Sequence, residues 1–125
     1  MNPKELKYTA EHEWLKVDGE RVYVGITDFA QKELGDVVFV ELPTLDAEVK
    51  AGDTLGVVES VKAVSDIYAP IGGRVVEVNE ALEDKPELIN EDPYGDGWLC
   101  VLEPADPKEM EGLLSAEEYE KQIEA

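Results

Sequence analysis

"GVVESVKAVSDIYAP" (residues 56–70) sets two runs of strand-forming residues around one lysine, and its reading decides the fold. Val57, Val58 and Val61 lead into Lys62, and Val64, Ile67 and Tyr68 lead away from it. Such β-branched and aromatic residues suit a pleated, half-buried surface. No charged residue lies within two positions of Lys62 on either side. Gly52 stands ten residues before the lysine and Gly72 ten after, so the arms are nearly symmetric, as in a hairpin centred on it. Gly52, Gly72 and Gly73 are read as the glycines that let the backbone turn at the hairpin's base.

A weak internal repeat surrounds this segment. "GDVVFVEL" (35–42) followed by "AGDTLGVVE" (51–59) is echoed by "GGRVVEVN" (72–79) followed by "YGDGWLCVLE" (94–103). Each half has a Gly-led, valine-rich strand, then a loop, a Gly-Asp turn and a second apolar strand. Two such half-sheets can pack face to face about a pseudo-twofold axis, forming a small flattened barrel from which the connecting hairpin protrudes. That arrangement places Lys62 at an exposed tip.

The flanking sequence extends the same pattern. Alternating runs predict strands near 13–17 and 21–26, joined at Asp18-Gly19, a pair suited to a turn with positive φ. Thr27 or Asp28 can cap a short helix near 28–34 that Gly35 ends. Strands are expected over 36–42 and 73–79, a short one within 47–53, a helical turn and loop in "PELINEDPYGDG" (86–97), and another strand in "WLCVLEP" (98–104). Ser115 and Glu118 form a capping-box pattern that starts a terminal helix at about 116. The expectation is a mostly β chain forming one domain over 1–125, with the hairpin at about 54–70 and a C-terminal helical extension at about 106–125.

Composition narrows the function. Thirty acidic residues against eleven basic ones give a net charge of −19, which repels nucleic acid and anionic membrane. The acidity serves solubility, or steering toward basic docking surfaces. No run approaches the roughly 18–20 apolar residues of a membrane span. The N-terminus, "MNPKELKYTAEHEW", has neither a signal-peptide core nor an Arg-rich transit character, so a cytoplasmic protein or a matured organellar form (mitochondrial matrix) is expected. One cysteine, Cys100, and one histidine, His12, leave no internal disulfide and no metal-ligand set. Cys100, Trp14 and Trp98 are read as core residues and His12 as structural.

The lysine itself suggests a carrier. A Schiff-base lysine needs a desolvating pocket to lower its pKa, and a protruding turn supplies the reverse. A tip lysine is instead well placed to receive a group such as lipoate or biotin by amide formation. Glu59, with Ser65 and Asp66, forms a polar collar that a modifying enzyme could recognise, Glu59 being the recognition candidate. The competing reading is an unmodified acidic interaction module in which Lys62 is an ordinary surface residue.

"HEWLKVDG" (12–19), "VGITDFAQKELGDVVFVELP" (24–43), "VESVKAVSDIYAPIGGRVVEVNEAL" (58–82), "PELIN" (86–90) and "DPYGDGW" (92–98), in this order, resemble the H-protein family of the glycine cleavage system. The resemblance implies a lipoyl/biotinyl-type flattened barrel-sandwich of two antiparallel sheets, with lipoate covalently attached at Lys62. Biotin carriers show methionine on both sides of the lysine, where this chain has Val61 and Ala63. A non-catalytic shuttle is implied, carrying an aminomethyl unit from a pyridoxal-phosphate glycine decarboxylase to a tetrahydrofolate-dependent aminomethyltransferase, and electrons to a flavin-dependent dihydrolipoamide dehydrogenase. Lipoate-attaching enzymes are further partners. Glu13 and Asp66, in the "HEW" and "VSD" motifs, are the candidates for the cleft that holds the arm, because a cationic, hydrolysable cargo calls for carboxylates and exclusion of water. Phe29 departs from the family pattern, where histidine is common after "TD". H-like carriers that relay lipoyl groups or serve sulfur oxidation are the alternative within the same chemistry. A carrier visiting several active sites is expected to be a monomer with transient contacts.

Overall fold

In a computed structural model of the chain, residues 3–124 are described. Met1, Asn2 and Ala125, which belong to the expected 1–125 span, lie outside them. Nine strands among the described residues form two antiparallel sheets that pack as a sandwich and do not close into a barrel. The larger sheet has the order β1 (Lys7–Tyr8), β2 (Glu13–Asp18), β3 (Arg21–Ile26), β9 (Cys100–Pro104), β8 (Gly73–Val78) and β5 (Glu48–Val49). The smaller has β4 (Val37–Glu41), β6 (Thr54–Ser60) and β7 (Val64–Tyr68). No helix among the described residues is long and apolar enough to cross a membrane.

Local signals act as expected. Asp18 faces Arg21 across the β2–β3 turn, where Gly19 takes φ +64°. Thr27, not Asp28, caps helix α1 (Asp28–Leu34): its Oγ1 accepts from Ala30 N at 3.2 Å. Asp28 instead pairs with Lys32 at 2.9 Å, one helical turn on. Gly35 ends the helix at φ +80°, ψ −157°, a region that essentially only glycine occupies. The Ser115–Glu118 capping box forms, with Ser115 N donating to the Glu118 carboxylate at 3.0 Å and Glu118 N to Ser115 Oγ at 3.2 Å, and opens helix α4 (Ala116–Glu124).

The repeat is carried by both sheets. β4 pairs with β6 in one, β8 with β9 in the other, and the registers correspond: Val37↔Ser60 and Val40↔Val58 match Val75↔Leu102 and Val78↔Cys100. Each pair is also interrupted at the same place, between Val37 and Phe39 and between Val75 and Glu77. The inner faces bury Leu15, Val22, Val24, Leu55, Val75 and Leu102. A second cluster, with Ile26, Val40, Val58 and Ile67, lies under α1 and the short helices α2 (Ala81–Asp84) and α3 (Leu88–Glu91).

Three features were not expected from sequence. β1 is only two residues long and is held partly by Tyr8, which exchanges backbone bonds with Leu114 at 2.9 and 2.8 Å. α2 arises in a polar stretch around one buried residue, Leu82. Gly72 and Gly73 do not serve as turn residues: of the three glycines assigned to the hairpin's base, only Gly52 has positive φ, at +92°. Gly73 is a buried strand residue whose added Cβ would collide with the Glu103 carbonyl, so it is needed for close strand approach.

Gly25 illustrates the same constraint inside the larger sheet. It faces Trp14 across β2–β3, and an added Cβ would lie 2.6 Å from the indole, which is fixed by Trp14 Nε1–H donating to Pro93 O at 2.9 Å. Gly25→Ala is therefore expected to destabilise the protein by about 1–3 kcal/mol. Gly112→Ala, where the added carbon meets open space, should stay within about 0.5 kcal/mol of wild type. Urea titration of both variants, followed by indole fluorescence, checks the difference.

Candidate functional site

Lys62 lies at the exposed centre of the three-residue turn between β6 and β7. The turn is braced by Ser60, whose N donates to Ala63 O at 2.8 Å and whose Oγ accepts from Ala63 N at 3.0 Å and Lys62 N at 3.3 Å. No ion pair involves the lysine among the described residues. Val61 and Val64 beside it are 69% and 66% exposed, so the tip is an amine on an otherwise apolar, solvated turn.

The outer face of the small sheet connects this tip to the acidic residues. Phe39, Glu59 and Val64 form one cross-strand row, and Glu41, Val57 and Asp66 the next. Glu59 is half-buried between two apolar neighbours, whereas Asp66 is exposed on the edge strand. Tyr68, two residues beyond Asp66 on the same face, ends β7 at a cleft of about 540 Å³.

Glu13 meets the edge strand there. Its Oε1 accepts from Thr9 Oγ1 at 2.7 Å and its Oε2 from Tyr68 N at 3.3 Å, so a residue at the start of β2 closes the end of β7. The side chain is buried, at 2% exposure, and lines the cleft with Thr9, Glu11, Tyr68, Leu114 and Gln122. Burial pushes the Glu13 carboxyl above its ordinary pKa; the bonds from Thr9 and Tyr68 pull it partly back, and the Glu11 charge adds to the rise. The structure thus brings Glu13, from β2, to the end of β7, the strand that carries Asp66. Lys62 lies at its other end, at most roughly 20 Å from Tyr68 for a six-residue extended span.

The remaining candidates lie elsewhere. His12, at φ +70°, places Nδ1 2.7 Å from Tyr119 Oη and its ring 4.8 Å from Phe29; burial lowers its pKa, against the opposing pull of Glu11 and Glu33. Trp14 is in the core, while Trp98 is half-buried and packs edge-on against Tyr23 at 5.3 Å. Cys100 is fully buried, its thiol pushed up to about 12 by desolvation, which makes it a packing residue and not a nucleophile. Among the described residues no group of His, Cys, Asp or Glu could hold a metal ion. Sequence reading missed Thr9 and Ser60, whose hydroxyls fix Glu13 and the lysine turn. Their only prior signal was position: Thr9 four residues before Glu13, and Ser60 just before the tip.

Comparison with known proteins identifies the family. The family model described as "Glycine cleavage H-protein" matches residues 6–125. Glycine cleavage system H proteins from Carboxydothermus hydrogenoformans and Bacillus subtilis are each 60% identical to the chain, over 98% and 95% of it and 94% of each relative. The crystal structure of a glycine cleavage system H protein from Mycobacterium marinum matches with a TM-score of 0.91 at 45% identity, covering 99% of this chain and 100% of that one. The chain belongs to the glycine cleavage H-protein family.

Proposed function

We propose that this chain is the lipoate-bearing carrier of the glycine cleavage system, with lipoate in amide linkage to Nζ of Lys62. The supporting observation is the exposed Lys62 amine on the β6–β7 turn, without an ion pair among the described residues. The residues present fit the group: Ser60 braces the turn, Val61 and Ala63 offer no competing charge, and acylation removes a charge that has no partner to lose. An exposed lysine is not desolvated, so it serves as a tether and not as a Schiff-base nucleophile. Lipoate, once attached, supplies a redox-active disulfide on which an aminomethyl unit and electrons are carried.

The chain's own residues receive and protect that cargo. A cationic amine needs a counter-charge away from water, and Glu13 is a buried carboxylate held in place by Thr9 and Tyr68 at a cleft. A cation there favours the ionised carboxylate, offsetting the burial that raises its pKa. Asp66, exposed on the path from Lys62 to the cleft, adds negative potential, and Glu59 marks the turn for the lipoate-attaching enzymes. Bond making and breaking belong to the partners: glycine decarboxylase, aminomethyltransferase and dihydrolipoamide dehydrogenase. The carrier works in the cytoplasm as a monomer that meets each of them briefly.

Intact mass of protein from lipoate-competent cells is expected to show one lipoyl adduct on wild type and none on Lys62→Arg; an adduct on the variant would move the attachment site. Glycine–bicarbonate exchange by purified glycine decarboxylase should require the lipoylated form, and equal stimulation by the apo form would remove the chain from this pathway.

Glu13 gives a separate test. Its carboxyl ¹³C resonance should titrate above the ordinary value of 4.5, and Thr9→Val, which removes a bond to the ionised form, should move it further up. Because the folded carboxyl binds its proton more tightly than the unfolded one, its contribution to stability is full below the unfolded pKa. That contribution declines as pH rises through the folded value. Glu13→Gln should flatten this decline in urea titrations across that window, and should hasten ammonia release from the loaded carrier. An unchanged lifetime of the loaded form would discard the assignment of Glu13 to the cargo.

A further inference from the structure

The "PELIN" block ends in Asn90, whose carboxamide joins three segments. Nδ2 donates to Gln31 Oε1 at 3.0 Å and to Gly35 O at 2.9 Å, while Oδ1 accepts from Val37 N at 2.8 Å. These partners fix the orientation of the amide, because a flip would set donor against donor and acceptor against acceptor. Asn90 is carried on α3, next to the fully buried Ile89. From there it clamps the end of α1 to the start of β4.

The clamped segment is the one against which the lysine turn rests. Asp36 O, between the two backbone groups that Asn90 holds, accepts from Val61 N at 3.0 Å. Gly35 lies under the lysine itself: a Cβ there would be 3.4 Å from Lys62 Cε, so the stem runs over bare backbone. The path from Asn90 to Lys62 is therefore short and consists of backbone groups in ordinary hydrogen-bonding and van der Waals contact.

We infer that Asn90 is the positioning residue for Lys62, holding Gly35–Val37 so that the tip is presented in one orientation to the enzyme that acylates it. This rests on the reading of Lys62 as the lipoyl site. Without the carboxamide, Gly35 O and Val37 N lose a partner and the Val61–Asp36 bond opens more often. The turn then samples orientations that the attaching enzyme cannot use. A smaller competent fraction raises the apparent KM in proportion and leaves the bound complex, and hence kcat, unchanged.

The experiment uses the full-length apo chain as wild type, Asn90→Ala and Asn90→Asp, the last keeping the acceptor for Val37 N but losing both donors. Asn79→Ala is the control: it removes another hydrogen-bonded carboxamide, on a buried residue, that donates to Asp96 O at 2.8 Å and Trp98 O at 2.7 Å. Two quantities are read: hydrogen exchange at the Val61 amide, and steady-state kinetics with a lipoate–protein ligase, lipoate and ATP. Both Asn90 variants should bring Val61 exchange close to that of an unprotected amide and raise the ligase KM for the carrier by the inverse of the closed fraction that the exchange reports, about tenfold where one tip in ten stays closed, with kcat within about twofold. Asn79→Ala should leave Val61 exchange and KM within about twofold of wild type, even at an equal loss of thermal stability. Wild-type exchange and KM in the Asn90 variants, or equal changes in the control, would overturn the inference. Absence of acylation at Lys62 in wild type would instead sink the attachment reading, and Val61 exchange would still decide whether Asn90 braces the tip.

Discussion

A two-stranded hairpin in water is marginally stable, and the site depends on how this chain escapes that limit. β6 and β7 keep their shape because β4 supplies a third strand and a buried inner row. Val40 faces Val58 across that sheet, both are almost fully buried, and Ile67 packs in the same cluster. The inner row fixes the register, since a slip of one residue would turn Val58 out and Glu59 in. The outer face is then free to carry Phe39, Glu59, Val64 and Asp66. The irregularity at Val38 has its counterpart at Val76 in the other sheet, so both halves bend alike, as bulged strands do. Only the first half continues into the lysine turn. An asymmetric turn therefore sits on a nearly symmetric frame.

Burial separates Glu13 from a surface crowded with acids. With thirty Asp and Glu residues in the chain, acidity by itself marks nothing. Glu13 is different: it is the only buried carboxylate among the described residues. A buried carboxylate without a cationic partner raises its pKa unless something else stabilises its charge, and its two hydrogen bonds do so only in part. Groups strained in this way gather at functional sites because a ligand can relieve the cost. Asp66 is solvated on an edge strand.

Signals that act within a few residues were legible in the sequence. Asp18-Gly19, Gly35 and the Ser115–Glu118 box each satisfy a backbone requirement set by neighbours in the chain, so residue type was enough, whereas the cap of α1 was narrowed only to Thr27 or Asp28. The internal repeat worked for a related reason: equal strand patterns pair with equal registers. What failed to show was set by distant contacts. Glu13 was nominated by its motif, but its burial did not show, because β7 closes over it from 55 residues away. Gly73 looks like a turn residue until β9 is seen against its Cα, and Asn90 looks like loop polarity until α1 and β4 converge on its amide. β1 escaped notice because two residues cannot show a period.

The C-terminal helix follows from the same long-range logic. Tyr119 Oη lies 2.7 Å from both His12 Nδ1 and Thr27 Oγ1, and its ring stacks on Tyr8 at 4.9 Å. Thr27 also caps α1, and His12 directly precedes Glu13, so one phenol couples α4 to the helix under the lysine turn and to the strand bearing the buried acid. Phe29 belongs to this assembly: it lays an apolar ring on His12, which holds the imidazole against Tyr119 without adding a second titratable ring. Leu114 and Gln122, which border α4 and lie within it, also wall the cleft at Glu13. The terminal extension therefore completes the cleft, and the geometry around Glu13 requires the sheet, the N-terminal segment and α4 together.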